Sequence, residues 1–272
     1  MPKVKVGDIN MYYETYGEGE PLVLIPGLMG NTDFFFREIP VFSRDYRVIA
    51  FDNRGAGQTD APDVPYYPDM FVNDLAGLLD AIGIKSAHIC GGSMGGMIAQ
   101  GLVLKYPEKV ISLILQCTSC GGQPSTPTDP TTMQRLADAA ALNPELRAKG
   151  TLRSCVAREF AEKNPEIIQE YIAHMIKHPA PPQGGLRQLQ AGLRGESYYE
   201  RLPDIKVPTL IIHGESDQLI PVENARILAS RIPNSELLIF KNTGHMLLES
   251  QDEIFRIMLD FLKRHQLKQQ EA

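Results

Sequence analysis

The stretch "HICGGSMGGMIAQ", residues 88–100, decides the reading of this chain. It passes from a short apolar run into Gly91, Gly92, Gly95 and Gly96, with Ser93 between the two pairs, and then returns to a helix-like pattern. Glycine loses more backbone entropy on folding than any other residue, so such a cluster marks unusual dihedrals or a close backbone approach. Three mechanisms place glycines between a strand and a helix. A dinucleotide-binding turn needs G-x-G-x-x-G after the first strand, with an acidic residue about 20 positions on. Here Ser93 stands where the second glycine belongs, and the segment is far from the first strand. A phosphate-binding loop needs G-x-x-x-x-G-K-[ST]. Gly91 and Gly96 have that separation, but Met97 and Ile98 occupy the lysine and hydroxyl positions, so no charge is available for the phosphates. The third pattern, Gly91-Gly92-Ser93-Met94-Gly95, is a G-x-S-x-G on a strand–turn–helix. It exposes a serine hydroxyl at the carboxyl end of a sheet. Side chains two positions before and two after would collide with neighbouring backbone.

A serine hydroxyl is a weak nucleophile and needs an adjacent base, itself oriented by an acid. With this elbow the chain order is serine, acid, histidine. Downstream, "LIIHGESDQLIP" puts Asp217 just past one strand, and "FKNTGHMLLES" puts His245 just past the next. Both therefore fall on the rim that carries Ser93. Glu215 and Asp52 compete for the acid; Asp52, with Arg54 in "FDNRGAG", reads better as the brace of a turn. Among the other histidines, His88 lies inside a strand and reads as packed core. His213 closes a strand as a structural hydrogen-bonder, and His265 sits in the terminal helix. His174 and His178 are four apart on a helix, without a third metal ligand in view, and read as a solvated face.

Outward from the elbow, the first half of the chain alternates strands and helices. Residues 4–6 and 11–16 read as a hairpin, and "PLVLIP" (21–26) and "YRVIAFD" (46–52) as strands buried on both faces of a parallel sheet. A helix over 68–82 stops at Gly83, followed by a strand at 86–90, a helix at 94–106 ended by Pro107, and a strand at 110–117. Residues 121–131 are loop-forming, and 132 to about 200 read as helices broken at "NP" (143–144 and 164–165) and "PAPPQGG" (179–185). Strand 207–214, helix 222–231, strand 236–240 and helix 250–266 complete the chain. This order implies an α/β fold: a mostly parallel, doubly wound sheet of eight strands, with a helical lid inserted after the sixth. The expected division is a core of residues 1–123 and 201–272 and a lid of 124–200.

The bulk composition narrows the partners. The chain has 272 residues, 43% hydrophobic and 22% charged, with net charge −6. That suits a globular core and offers no basic stripe for nucleic acid. No apolar stretch approaches membrane-spanning length, and the N-terminus has no secretory h-region, so the expected address is the cytoplasm. Cys90, Cys117, Cys120 and Cys155 are too few for a disulfide framework and read as reduced structural thiols. No cofactor and no metal is expected, and the chain is expected to act as a monomer or homodimer on a small molecule.

In the order "LVLIPGLMG", "FDNRGAGQTD", "GGSMGGMIAQ", "HGESDQLIP" and "NTGHMLLE", the sequence resembles the α/β-hydrolase superfamily over nearly its whole length. The likeness is to small lidded members: esterases, 3-oxoadipate enol-lactonases and meta-cleavage-product hydrolases. The resemblance implies a nucleophile at Ser93, an acid at Asp217 and a base at His245. It also implies an oxyanion hole from the backbone N–H groups of Leu28 and Met94. Two departures stand out. Pro26-Gly27 replaces the usual His-Gly, yet the needed N–H belongs to Leu28, and Gly92 replaces a common histidine, leaving more room beside the serine. Relatives that cleave carbon–halogen or epoxide bonds carry aspartate at the elbow; serine points to acyl chemistry.

The expected reaction is attack of Ser93 on an ester or lactone carbonyl, with perhydrolysis as a side activity. An imidazole base works only when neutral, so turnover is expected to fall in acid. The insertion contributes Met133, Leu136, Leu142, Phe160, Tyr171, Met175 and Leu189. Most of these read as packing of lid on sheet; Phe160, Tyr171 and Met175, together with Met29 and Met246, are the candidates for substrate contact. One alternative is hydrolysis of a C–C bond in a dienone acid, which needs a cation for the substrate carboxylate, with Arg187, Arg194 and Arg54 as candidates. Another is a ligand receptor on the same fold with little turnover.

Overall fold

The computed structural model describes residues 3–140, 142–194 and 197–267. A hairpin opens the chain, β1 (Lys3–Val6) and β2 (Ile9–Tyr16), turning at Gly7. Then come β3 (Glu20–Ile25), α1 (Glu38–Phe42), β4 (Tyr46–Phe51), α2 (Pro68–Ala81), β5 (Ala87–Gly92), α3 (Met94–Lys105) and β6 (Val110–Gln116). The helices α4 (Pro130–Ala140), α5 (Pro144–Cys155), α6 (Arg158–Lys163), α7 (Pro165–Met175) and α8 (Pro182–Arg194) separate β6 from β7 (Thr209–Gly214). The chain closes with α9 (Glu223–Arg231), β8 (Ser235–Phe240) and α10 (Gln251–Arg264). The eight strands lie in the order β1-β2-β4-β3-β5-β6-β7-β8. Strand β2 runs against both β1 and β4, and the pairs from β4 through to β8 are parallel.

Successive side chains of a strand point to opposite faces of its sheet, and the cores divide accordingly. Val23, Ile25, Ile49, Phe51, Ile89, Leu113 and Ile211 pack beneath α2, α3 and α9 on one face. Their neighbours Leu22, Leu24, Val48, Cys90, Ile114, Leu210 and Ile212 pack beneath α1 and α10 on the other. Burial on both faces is why these strands read as unbroken apolar runs rather than alternating ones. Helix α2 ends as its sequence requires, with Gly83 at φ +72°.

In the insertion, the "NP" pairs that read as breaks are the starts of helices. Pro144 and Pro165 occupy first-turn positions, where a missing N–H costs nothing, and the Asn143 side chain caps α5 by accepting the Leu146 N–H at 3.0 Å. Tyr171, Leu152, Cys155 and Ile172 form a core of their own, which reaches Leu248 of the main body. Leu142, expected to pack against the sheet, is exposed. The side chain of Leu136 lies outside the described residues. The short helix α1 carries no periodic signal in the sequence and was not anticipated. Helix α7 ends at Met175, so His174 and His178 do not share a helical face. His174 is also no solvated residue. It stacks flat on Phe36 at 3.9 Å, while His178 binds the Asp33 carboxylate at 2.7 Å.

Candidate active site

Ser93 joins β5 to α3 with φ +54° and ψ −125°, dihedrals that a side-chain-bearing residue rarely adopts. Backbone hydrogen bonds hold it there. Its N–H donates to the Gln116 carbonyl at 2.9 Å, and its own carbonyl accepts from the Gly96 N–H at 3.0 Å and the Thr118 hydroxyl at 2.7 Å. The flanking glycines are steric necessities. A Cβ on Gly91 would lie 2.3 Å from the Gly95 carbonyl oxygen, and one on Gly95 would lie 2.4 Å from that of Ile25. Gly92 is different: its Cβ would meet nothing nearer than 3.7 Å.

Asp217 follows β7 and His245 follows β8, on the carboxyl edge that carries Ser93 after β5. The His245 Nδ1 lies 2.7 Å from Asp217 Oδ2. The other carboxylate oxygen, Oδ1, accepts the backbone N–H groups of Leu219 at 2.8 Å and Ile220 at 2.9 Å. The Asp217 side chain is fully buried, and burial alone would raise its pKa. The imidazoles of His245 and His213 outweigh that, holding the carboxyl well below its usual range. Glu215, by contrast, is exposed, and Asp52 accepts the N–H groups of Thr32 at 2.7 Å and Gln58 at 2.7 Å, bracing the turn as expected.

The loop after β3 lies against the serine. A Cβ on Gly27 would sit 3.4 Å from Ser93 Cβ and 3.9 Å from its Oγ. Gly27 to Gly30 form a turn closed by the Gly30 N–H on the Gly27 carbonyl at 3.1 Å, which places Leu28 at its second position. Met94 is the first residue of α3, where helical N–H groups have no partner within the helix. The two N–H groups expected to bind an oxyanion thus come from a turn and a helix start on either side of Ser93.

Other expectations meet a mixed outcome. Tyr171 is buried, its hydroxyl taking the Gln251 amide N–H at 2.8 Å, and Phe160, Met175 and Met246 pack around the same cluster. Met29 lies against Gly185 of α8. A small apolar cavity of about 40 Å³ instead lies beside Met94, lined by Phe71, Val72, Met94, Met97, Ile98 and Tyr198. Its walls come from α2, α3, the loop after β6 and the end of the insertion, so no single stretch of sequence marks it. The described residues also hold a second serine–histidine–acid string. His88 Nδ1 lies 2.7 Å from Ser112 Oγ, and its Nε2 lies 3.1 Å from Glu20. It is sealed, with His88 and Ser112 wholly inaccessible, and it stands at the start of β5, away from the elbow. A substrate has no access to it.

His213 and Cys117 surround the acid in a way the sequence did not suggest. The His213 Nε2–H donates to the Ile220 carbonyl at 2.8 Å and lies 3.3 Å from Asp217 Oδ2. Burial, with Asp217 alongside, pushes the Cys117 thiol well up, so it stays protonated. Cys117, His213 and Asp217 offer ligand atoms within 4.8 Å of one another, and the carboxylate of that set also holds His245. All four cysteines are free and buried. No described helix is long and apolar enough to cross a membrane.

Residues 20–252 match the family of the alpha/beta hydrolase fold. The chain belongs to that family. Among relatives of this α/β-hydrolase, a 2-hydroxy-6-oxononadienedioate/2-hydroxy-6-oxononatrienedioate hydrolase of Burkholderia vietnamiensis is 31% identical, spanning 94% of this chain and 92% of its own. The enol-lactonase of Burkholderia xenovorans has the same fold, with a TM-score of 0.85 at 24% identity, covering 96% of this chain and 100% of its own. An esterase from Exiguobacterium antarcticum gives 0.83 at 27%, covering 96% and 98%. The likeness to lactonases, esterases and C–C hydrolases that the sequence suggested is therefore found. All three relatives are hydrolases.

Proposed function

We propose that this α/β-hydrolase cleaves a small or medium carboxylic ester or lactone through an acyl-enzyme formed on Ser93, beneath a lid made by the α4–α8 insertion. The Asp217–His245 hydrogen bond, on the sheet edge that carries a strained serine, is the observation that supports this reading most. With Nδ1 committed to Asp217, the base is Nε2 of His245. It takes the serine proton as Oγ attacks the carbonyl, and the oxyanion is received by the N–H groups of Leu28 and Met94. His245 then protonates the leaving alkoxide, and in the second half-reaction it activates the water that releases the acid. Each oxyanion donor is worth about 3 kcal/mol of barrier. The apolar cavity beside Met94 suits an apolar acyl or alcohol group better than a charged one.

The dienedioate hydrolase among the relatives favours C–C cleavage as the second reading. The three arginines first considered for its carboxylate are engaged elsewhere. Arg54 is clamped by Asp74 at 2.5 and 2.7 Å, Arg187 pairs with Asp63, and Arg194 lies over the Tyr67 ring. Arg147 on α5 has no carboxylate partner among the described residues and reaches the Ala180 carbonyl at 3.4 Å. The deciding experiment is a panel of p-nitrophenyl esters, lactones and dienone acids, run with fluorophosphonate labelling. Rapid ester or lactone turnover that vanishes in Ser93→Ala fits the proposal. Turnover of dienone acids alone favours the second reading, and labelling without turnover favours a receptor. Retained ester turnover by Ser93→Ala would overturn the nucleophile.

A further inference from the structure

His245 stands on the loop of residues 241–250, which leaves β8 at the edge of the sheet. Before His245, the main body holds this loop: the Ser216 N–H donates to the Thr243 carbonyl at 3.0 Å. After His245, the partners belong to the insertion. The Met246 N–H donates to the Cys155 carbonyl at 3.0 Å, and Glu249 accepts the Ala157 N–H on Oε1 at 2.7 Å. Met246 and Leu248 pack with Leu152, Cys155 and Val156 in the insertion's own core.

The Met246 N–H belongs to the peptide that follows the His245 Cα directly, so its bond to Cys155 fixes ψ of His245 itself. Within the loop, the Gly244–Leu247 turn closes through the Leu247 N–H on the Gly244 carbonyl at 3.2 Å, at the long end for such a bond. The insertion lies close enough to require glycine at 244: a Cβ there would sit 2.6 Å from the Cys155 oxygen and 3.2 Å from the Ala157 nitrogen. Val156 and Ala157 are extended, with ψ of 141° and 133°, between the end of α5 and the start of α6. Glu249 ties this stretch down beside the loop. Its other oxygen, Oε2, is enclosed and has no partner among the described residues. Leaving a buried carboxylate oxygen unpaired costs stability, and no step of the proposed reaction uses Glu249.

We propose that Glu249 is a positioning residue for the base: by holding Ala157 it seats the Cys155 carbonyl on the His245–Met246 peptide, so that the imidazole pinned at Nδ1 by Asp217 presents Nε2 to Ser93. The insertion is then part of the support of the triad, and a lid lifted off the main body leaves His245 anchored from one side. This deepens the hydrolase reading and rests on His245 as its base.

The test compares Glu249→Ala, which removes the acceptor of the Ala157 N–H, with Glu249→Gln, which keeps a carbonyl oxygen there. On p-nitrophenyl acetate, kcat of Glu249→Ala is expected to fall about tenfold, short of the hundredfold that a displacement of about 1 Å can cost, with KM nearly unchanged. Glu249→Gln is expected to retain most of the parent kcat. The Nδ1 proton that His245 shares with Asp217 gives a low-field proton resonance, expected to broaden or vanish in Glu249→Ala and to persist in Glu249→Gln. Unchanged kcat in Glu249→Ala would overturn the inference, as would an equal loss in both variants or a lowered Tm with kcat and the resonance intact. Should Glu249→Ala not fold, Gly244→Ala decides. Its φ is not in the left-handed region, and the nearest atoms to its Cβ belong to Cys155 and Ala157, so it pushes the same segment away: the same two losses support the inference, and parent-like behaviour overturns it. Ser93→Ala keeps the two readings apart. If it stays active the hydrolase mechanism fails; if it is dead while Glu249→Ala is unaffected, only the role of Glu249 fails.

Discussion

Replacing Asp217 by asparagine tests the acid–base pair through a change of one atom. Oδ1 receives two backbone N–H groups, from Leu219 and Ile220, so the asparagine carbonyl must take that position. Its NH2 group then occupies the place of Oδ2, facing the His245 Nδ1 at 2.7 Å and the His213 Nε2 at 3.3 Å. His213 already donates from Nε2 to the Ile220 carbonyl and cannot turn that nitrogen into an acceptor, so His245 must yield. Its proton moves to Nε2, the nitrogen that would have to accept from Ser93. The wrong tautomer leaves a folded enzyme without a base, and the expected loss in kcat is about ten-thousandfold, or about 5.4 kcal/mol of barrier at 1.36 per decade. Turnover of p-nitrophenyl acetate measures the loss, and 15N spectra of the histidines read the tautomer directly. A loss under about tenfold, or an unchanged tautomer at His245, would refute this account of Asp217.

Gly95→Ala should yield misfolded or inactive protein, since its Cβ would lie 2.4 Å from the Ile25 oxygen, whereas Gly92→Ala should fold and turn over ester within a fewfold of the parent; equal behaviour of the two would contradict the packing. Burial pushes Glu38 up to about 7, and its Oε2 is enclosed without a partner. The folded state therefore binds this proton more tightly than the unfolded chain, and stability is lost as pH rises from the ordinary carboxyl value through 7. Glu38→Gln should raise Tm at pH 8, by about 2–4 °C for each kcal/mol recovered, and give no gain at pH 4. Asp74→Asn leaves the Arg54 guanidinium buried beside only the partly exposed Asp8, and should cost about 3 kcal/mol or more in denaturant unfolding. A cost under about 1 kcal/mol would mean the pair acts like an exposed one.

The order of elements and the elbow were readable because both are written locally. Apolar runs such as Leu22–Ile25 and Leu113–Leu115 can lie only in strands covered on both faces, and Gly91 and Gly95 announce a backbone crossing that nothing larger permits. The rim position of Asp217 and His245 was readable for the same reason, since each stands just past a strand whose direction the alternation of strands and helices sets. The helices of the insertion were visible too, although the "NP" pairs at 143–144 and 164–165 read as interruptions until the structure showed each proline opening a helix.

What surrounds those residues was not readable. His174 against Phe36, the cavity beside Met94, and the grip of Gln188 on Met29 each join segments distant in sequence, and no periodicity records them. By itself the sequence determined the alternation of strand and helix, the sharp turn at Ser93 and the rim on which Asp217 and His245 fall, because these follow from the conformations each short segment can adopt. Tertiary structure alone decided which tautomer His245 holds and which oxygen of Asp217 is free to hold it. Those outcomes depend on hydrogen bonds between groups that meet only after the sheet has assembled and the insertion has docked.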